Sequence, residues 1–195
     1  MGHIDRFNLR TWMRRFGFNV FVETGTGWAS SLLHASRHPF AKLYSSEIEP
    51  YLADESRKVM DHDQRVRIDN CTSREGIERA VGGLAPGDRC LFFLDAHFPG
   101  EDFGLKRYED TPEDRLRIPL EDEVALIARL RRGKRDVIIA DDLWIYEDGP
   151  FEYGNWEHRS AFGGDGIPFV YEHLGDSHHV LKDYRDGGYI IALPR

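Results

Sequence analysis

Two spacings of apolar residues divide the chain. Leu9, Trp12, Met13 and Phe16 recur at i, i+3, i+4 and i+7 with Arg10, Arg14 and Arg15 between them, and Ile4 and Phe7 stand just ahead. That spacing predicts a short leading helix packed on a sheet. After it come short β-branched and aromatic runs that predict strands: Val20 to Val22, the segment from Lys42 to Pro50, Val66 to Asp69, Cys90 to Leu94 and Val137 to Ala140. The fourth and fifth runs are uninterrupted and apolar, as expected of central parallel strands covered on both faces. Helical stretches alternate with them, from Trp28 to His34, over 51–61 behind Pro50, weakly to Val81, and from Pro119 with Leu120, Val124, Ile127 and Leu130 on one side. Gly82-Gly83 and Pro86-Gly87 punctuate. A helix from Pro168 to Leu174 precedes a closing hairpin, His179 to Tyr184 and Tyr189 to Leu193 around Arg185-Asp186-Gly187-Gly188.

Strands alternating with helices predict an α/β domain: a Rossmann-like, doubly wound, mostly parallel seven-stranded sheet with helices on both faces and a C-terminal antiparallel hairpin. One domain spans 1–195, with a leading helix over 1–18, a polar insertion over 99–118 that reads as a lid, and a substrate loop over 143–167. That loop mixes Trp144, Tyr146, Phe151, Tyr153, Trp156 and Phe162 with glycines and acids. These aromatics are either pocket walls for a ring-bearing or sugar-like acceptor, or core.

Composition narrows the setting. Hydrophobic residues make up 41% and charged residues 31%, which is globular, and no apolar run reaches the roughly 18 residues of a membrane span. The start has no apolar signal region, and Arg6 stands where a myristoylation pattern wants Ser or Thr. Cys71 and Cys90 have no paired spacing and read as reduced thiols of a cytoplasmic protein. A formal charge of −8 disfavours nucleic acid, and the Arg131-Arg132-Gly133-Lys134-Arg135 run reads as a helix C-terminus. The expected partners are a small-molecule acceptor and a second copy of the chain, with neither nucleic acid nor membrane.

Ligands of open α/β sheets bind beyond the carboxyl ends of the strands, and the chemistry-bearing residues fall there. After the first strand comes Glu23-Thr24-Gly25-Thr26-Gly27, a glycine turn opening a helix, where backbone can approach a ligand closely and helix N–H groups face electron-rich atoms. An ordinary strand-to-helix turn is the other reading. The dinucleotide fingerprint wants a third glycine at the place of Ser30. Glu47 lies after strand two, Thr72 and Ser73 after strand three, Leu94-Asp95-Ala96-His97 after strand four and Ala140-Asp141-Asp142 after strand five. Three carboxylates on two adjacent strand ends repel unless a cation sits among them or one is protonated, and oxygen-only ligands suit Mg²⁺; turn-capping aspartates are the alternative.

Glu23-x-Gly25-x-Gly27 resembles the first motif of class I S-adenosylmethionine-dependent methyltransferases, and five alternating units followed by a hairpin resemble their fold over Val20 to Leu193. The resemblance implies S-adenosylmethionine as cofactor, held by Glu23, Thr24, Gly25, Gly27, Trp28, Ser30, Glu47, Ile48, Thr72, Ser73 and Asp95. Within that set Glu23 serves the methionine end, Glu47 the ribose hydroxyls, and Thr72 and Ser73 the adenine; Glu47 or Glu49 at a helix start and a capping Thr72 are the plainer readings. The strand-four and strand-five acids are similar to those of metal-dependent catechol- and macrocin-type O-methyltransferases, implying Mg²⁺ at Asp95, Asp141 and Asp142. Leu94-Asp95-Ala96-His97 with the later Pro-Leu-Glu-Asp-Glu-Val and Ala-Asp-Asp also looks like a group of uncharacterised bacterial methyltransferase-like proteins.

Three departures stand out. The usual third glycine is Ala29, the Asp95 to Asp141 spacing is lengthened by the insertion, and the catechol-type lysine base is replaced by Phe98. The nearest substitute base is His97, with Asp95 and Asp141 as the other catalytic candidates; a plain structural hydrogen bond is the alternative for His97. The expected activity is methyl transfer to a hydroxyl. A non-catalytic cofactor-binding protein and a nicotinamide-dependent oxidoreductase are the competing readings.

Overall fold

The computed structural model describes residues 4–101, 103–111, 113–159 and 166–195. Phe162 and the N-terminal Met1, Gly2 and His3 of the sequence reading therefore lie outside the described residues. Seven strands form one sheet: β1 (Val20–Thr24), β2 (Lys42–Glu47), β3 (Val66–Asn70), β4 (Cys90–Leu94), β5 (Val137–Asp141), β6 (His178–Asp183) and β7 (Tyr189–Pro194). Their order is β3-β2-β1-β4-β5-β7-β6. Only β7 runs against the rest, antiparallel to β5 and to β6. The strand direction reverses where the turn at Arg185 to Gly188 brings the chain back, and Tyr189 is registered opposite Asp141. The expected doubly wound sheet with a terminal hairpin is the one observed.

The helices are α1 (Leu9–Phe16), α2 (Ser30–Ser36), α3 (Pro50–Met60), α4 (Ser73–Gly82), the single turn α5 (Asp114–Arg117), α6 (Leu120–Leu130) and α7 (Pro168–Leu174). Strand side chains alternate between two cores. Phe21, Leu43, Leu91, Phe93, Val137 and Ile139 face Leu9, Leu32, Ala35 and Met60, while Val22, Phe92, Leu94, Ile138 and Ala140 face Ile77, Val124, Ile127 and Val170. Trp12, Met13 and Phe16 pack against the first core, so the leading helix docks as its spacing predicts.

Local chemistry fixes the helix ends. Asn8 Oδ1 accepts from the Thr11 N–H at 3.0 Å, and α1 stops at Gly17 with φ +71°. Thr72 and Glu75 form a reciprocal capping box at α4. Helix α2 starts at Ser30, later than Trp28, because residues 27–29 complete the turn. On α6 the expected apolar face is shifted: Leu130 is 39% exposed, whereas Glu123 and Leu126 are buried. The basic run beyond it is anchored. Arg131 donates from Nε and Nη2 to the Asp136 carboxylate and from Nη2 to the Asp88 carbonyl, a buried pair joining the end of α6 to β5. Among the described residues no helix is long and apolar enough to cross a membrane.

Candidate active site

The parallel strands end along one rim, and the loops beyond β1 to β4 enclose a cleft of about 820 Å³. Its walls include Gly25 to Trp28, Ser30, Glu47, Ile48, Thr72, Ser73, Asp95 and His97. Thus most of the residues expected to hold a cofactor meet in one cavity. Glu23 and Thr24 do not reach its surface. Glu23 is 2% exposed and accepts from the Ser45 hydroxyl at 2.6 Å; burial, with Asp95 and Glu47 nearby, pushes its carboxyl well above the usual range. It stands under the turn, behind the cleft wall.

The glycine turn is held from both sides. The Gly25 and Thr26 N–H groups donate to the Ser46 carbonyl at 2.9 and 3.2 Å, and the Asp95 N–H donates to the Thr24 carbonyl at 3.0 Å. Gly25 has φ +78°, and a Cβ there would overlap the Asp95 carbonyl. Its freedom therefore serves the close passage of two strand-end loops. Ala29, where a third glycine was expected, keeps a glycine-like φ of +60° and is fully buried.

Glu47 ends β2 inside the cleft. Its Oε2 accepts from the Gly27 N–H and its Oε1 from the Glu49 N–H, each at 2.9 Å. Burial raises its pKa while these two N–H groups hold it down. A carboxylate offers about four lone-pair sites, so two remain for hydroxyl donors. With the glycine turn beside it, this set can take the hydroxyl and amine donors of a nucleoside-type ligand. Thr72 also lines the cleft while its hydroxyl caps α4.

Part of the polar insertion lies on this cleft. Phe103 contacts the Trp28 ring at 6.0 Å between centroids, and a Cβ on Gly27 would come within 2.6 Å of the Phe103 ring. Lys106 pairs with Glu49. Phe98, Tyr108 and Trp156 form a ring cluster that ties the insertion to the loop after β5. In that loop Tyr146 and Phe151 are core, at 7% and 6% exposed, whereas Trp144, Tyr153 and Trp156 line a cavity.

At the ends of β4 and β5 the acidic trio does not form the expected metal centre. His97 stands between two of its members, with Nε2 2.7 Å from Asp142 Oδ2 and Nδ1 3.5 Å from Asp95 Oδ1. Among the described residues no group of three or more His, Cys, Asp or Glu side chains is arranged to hold an ion. The geometry gives Mg²⁺ at Asp95, Asp141 and Asp142 no support, since the His97 ring lies between Asp95 and Asp142. The mutual repulsion is relieved differently. Burial, then Asp142 and Asp95, push Asp141 well above the usual carboxylate range, while Asp142, despite burial, is held below that range by His97 and Trp144.

Sequence reasoning missed Glu123. It is 1% exposed, near the start of α6, and among the described residues its Oε1, like Thr24 Oγ1, has no partner at hydrogen-bond geometry, although Ser73 and Thr24 lie close enough to hold its pKa down in part. It lines a small chamber with Ala96, His97, Asp141 and Tyr146 behind the cleft. Burial pushes its pKa up to about 7. A glutamate at helix spacing gives no signal of burial, although it lies in the quoted Pro-Leu-Glu-Asp-Glu-Val segment.

No family model and no curated relative matches the sequence. Solved structures do match in fold. An O-methyltransferase from Bacillus cereus in complex with S-adenosylhomocysteine superposes with a TM-score of 0.61 at 16% identity, covering 96% of this chain and 79% of that one. The O-methyltransferase TomG from Streptomyces achromogenes, in complex with S-adenosylmethionine, gives 0.53 at 14%, covering 95% and 77%. A Staphylococcus aureus protein assigned provisionally as a caffeoyl-CoA O-methyltransferase gives 0.63 at 13%, covering 100% and 85%. At these identities the likeness is one of architecture: the chain has the α/β fold on which those methyltransferases are built.

Proposed function

We propose that the protein is an S-adenosylmethionine-dependent methyltransferase acting on a hydroxyl of a small ring-bearing acceptor. The observation that carries this reading is the single cleft in which the glycine turn, the Glu47 carboxylate and the Asp95 to His97 segment meet. S-adenosylmethionine supplies a methyl group on a sulfonium, which an ionised hydroxyl oxygen can take. The chain's own part is to hold the cofactor and receive the proton. Glu47 and the turn bind. Asp142, 2.7 Å from His97 Nε2, orients the ring, and the imidazole, which lines the cleft with Nδ1 3.5 Å from Asp95 Oδ1, is the group placed to receive the proton as a general base. Asp142 is thereby a positioning residue. No step is assigned to a metal.

Differential scanning with each cofactor tests the binding half. A ligand at 100 times its dissociation constant stabilises by about 2.7 kcal/mol, so S-adenosylhomocysteine should raise the melting temperature and NAD should not; the reverse pattern would favour an oxidoreductase. For the chemical half, His97→Asn should bind S-adenosylhomocysteine as the parent does and lose methyl transfer by roughly 10²-fold or more, the usual worth of a general base. Turnover that survives His97→Asn unchanged would reject the base, and cofactor binding without transfer to any hydroxylated ring would favour a non-catalytic role.

A further inference from the structure

A second cavity, open and of about 840 Å³, lies beyond the His97–Asp142 pair. Asp141 and Asp142 line it, so it lies at the end of β5, the strand beside the β4 end that borders the cofactor cleft. Its walls are rings. Trp144 and Tyr153 stand 6.1 Å apart on one side, and Trp156 contacts Tyr108 at 5.7 Å on the other. Gly187 packs directly on the lining, where a Cβ would come within 2.7 Å of Asp142 Oδ1 and 2.8 Å of the Trp144 ring. Asp186 and Glu157 complete the lining with His158.

The charge pattern is one-sided. Among the described residues no Lys or Arg lines this cavity or the cofactor cleft, and none of the residues outside the description is a Lys or Arg. Arg6 is engaged with Asp186 through Nε and Nη2, and Arg159 with Asp148. Asp142 and Asp186 are already partnered by His97 and Arg6, but with no Lys or Arg in the lining an anionic group would meet no lining cation, whereas a cation would find aromatic faces and the Glu157 carboxylate. We propose that this cavity receives the acceptor, and that the acceptor is a hydroxylated ring bearing a protonated amine, not a carboxylate, a phosphate or a coenzyme A thioester. The proposal rests on the methyl-transfer reading above.

The test uses the full chain and three para-substituted phenols of similar size and different side-chain charge: tyramine, 4-ethylphenol and 4-hydroxyphenylacetate. Quenching of tryptophan fluorescence, with calorimetry beside it, reads their binding with and without S-adenosylhomocysteine. Tyramine should bind about tenfold tighter than the acid and a few-fold tighter than the neutral ring, the scale of a cation–aromatic contact. An acid that binds as tightly as the amine, equal affinities for the amine and the neutral ring, or no binding of any of the three overturns the proposal. Failure of S-adenosylhomocysteine to bind would instead overturn the methyl-transfer reading, and the order of the three phenols would still decide the charge preference.

Discussion

At Gly25 one backbone conformation controls two strand ends at once. The residue combines φ +78° with a Cβ position that the Asp95 carbonyl already fills, and both features oppose any side chain. Gly25→Ala should therefore cost about 2 kcal/mol or more of stability, from the left-handed backbone and from overpacking together, read as a lowered denaturant midpoint. The shift of the Asp95 segment should also weaken S-adenosylhomocysteine binding in calorimetry. A variant as stable as the parent would mean that the loops part easily. The turn itself is legible in the sequence; its purpose is not, because a glycine that admits a ligand and one that admits a neighbouring loop have the same spacing. Ala29 shows the converse. Its backbone keeps the left-handed conformation of a glycine although the residue identity departs from the motif.

Elements joined through contacts distant in sequence were the least legible. The strands and most helices follow from period and punctuation, and β4 and β5 are read correctly as central because their apolar runs are unbroken. The insertion has no period, so nothing in the sequence shows that Phe103 lies on the glycine turn, that Lys106 reaches Glu49, or that Phe98 joins Tyr108 and Trp156. Likewise, the acidic residues at 95, 141 and 142 suggest a metal centre until His97 is seen between two of them. If the insertion covers the bound cofactor, Phe103→Ala should release it faster. An edge-to-face aromatic contact is worth about 1 kcal/mol, so stopped-flow displacement should show the S-adenosylhomocysteine off-rate rising about fivefold, with little change in thermal stability. An unchanged off-rate would make the insertion a fixed wall.

Across the whole molecule, acids with shifted pKa values pull stability in opposite directions with pH. Asp63, Asp88 and Asp186 are held below their ordinary values, the first two chiefly by hydrogen bonds and Asp186 by Arg6 and Tyr189 against its burial. Their contribution is present above the unfolded-state pKa and is lost as pH falls. Glu123 does the reverse. Its carboxyl titrates near 4.5 in the unfolded chain and is pushed up to about 7 by burial in the folded one. The folded state therefore binds the proton more tightly, so the stability it contributes is complete below about pH 4.5 and is lost as pH rises to about 7. At about 1.4 kcal/mol per pKa unit, the loss reaches at most about 3 kcal/mol. Glu123→Gln keeps the shape and cannot ionise. Guanidinium unfolding of both proteins at pH 4, 6 and 8 should show the stability difference moving toward the variant by up to that amount, most of it between pH 4.5 and 7. Parallel pH dependences would mean that Glu123 has the same proton affinity in both states, and that Thr24 or a neighbour supplies its carboxylate with hydrogen bonds in solution.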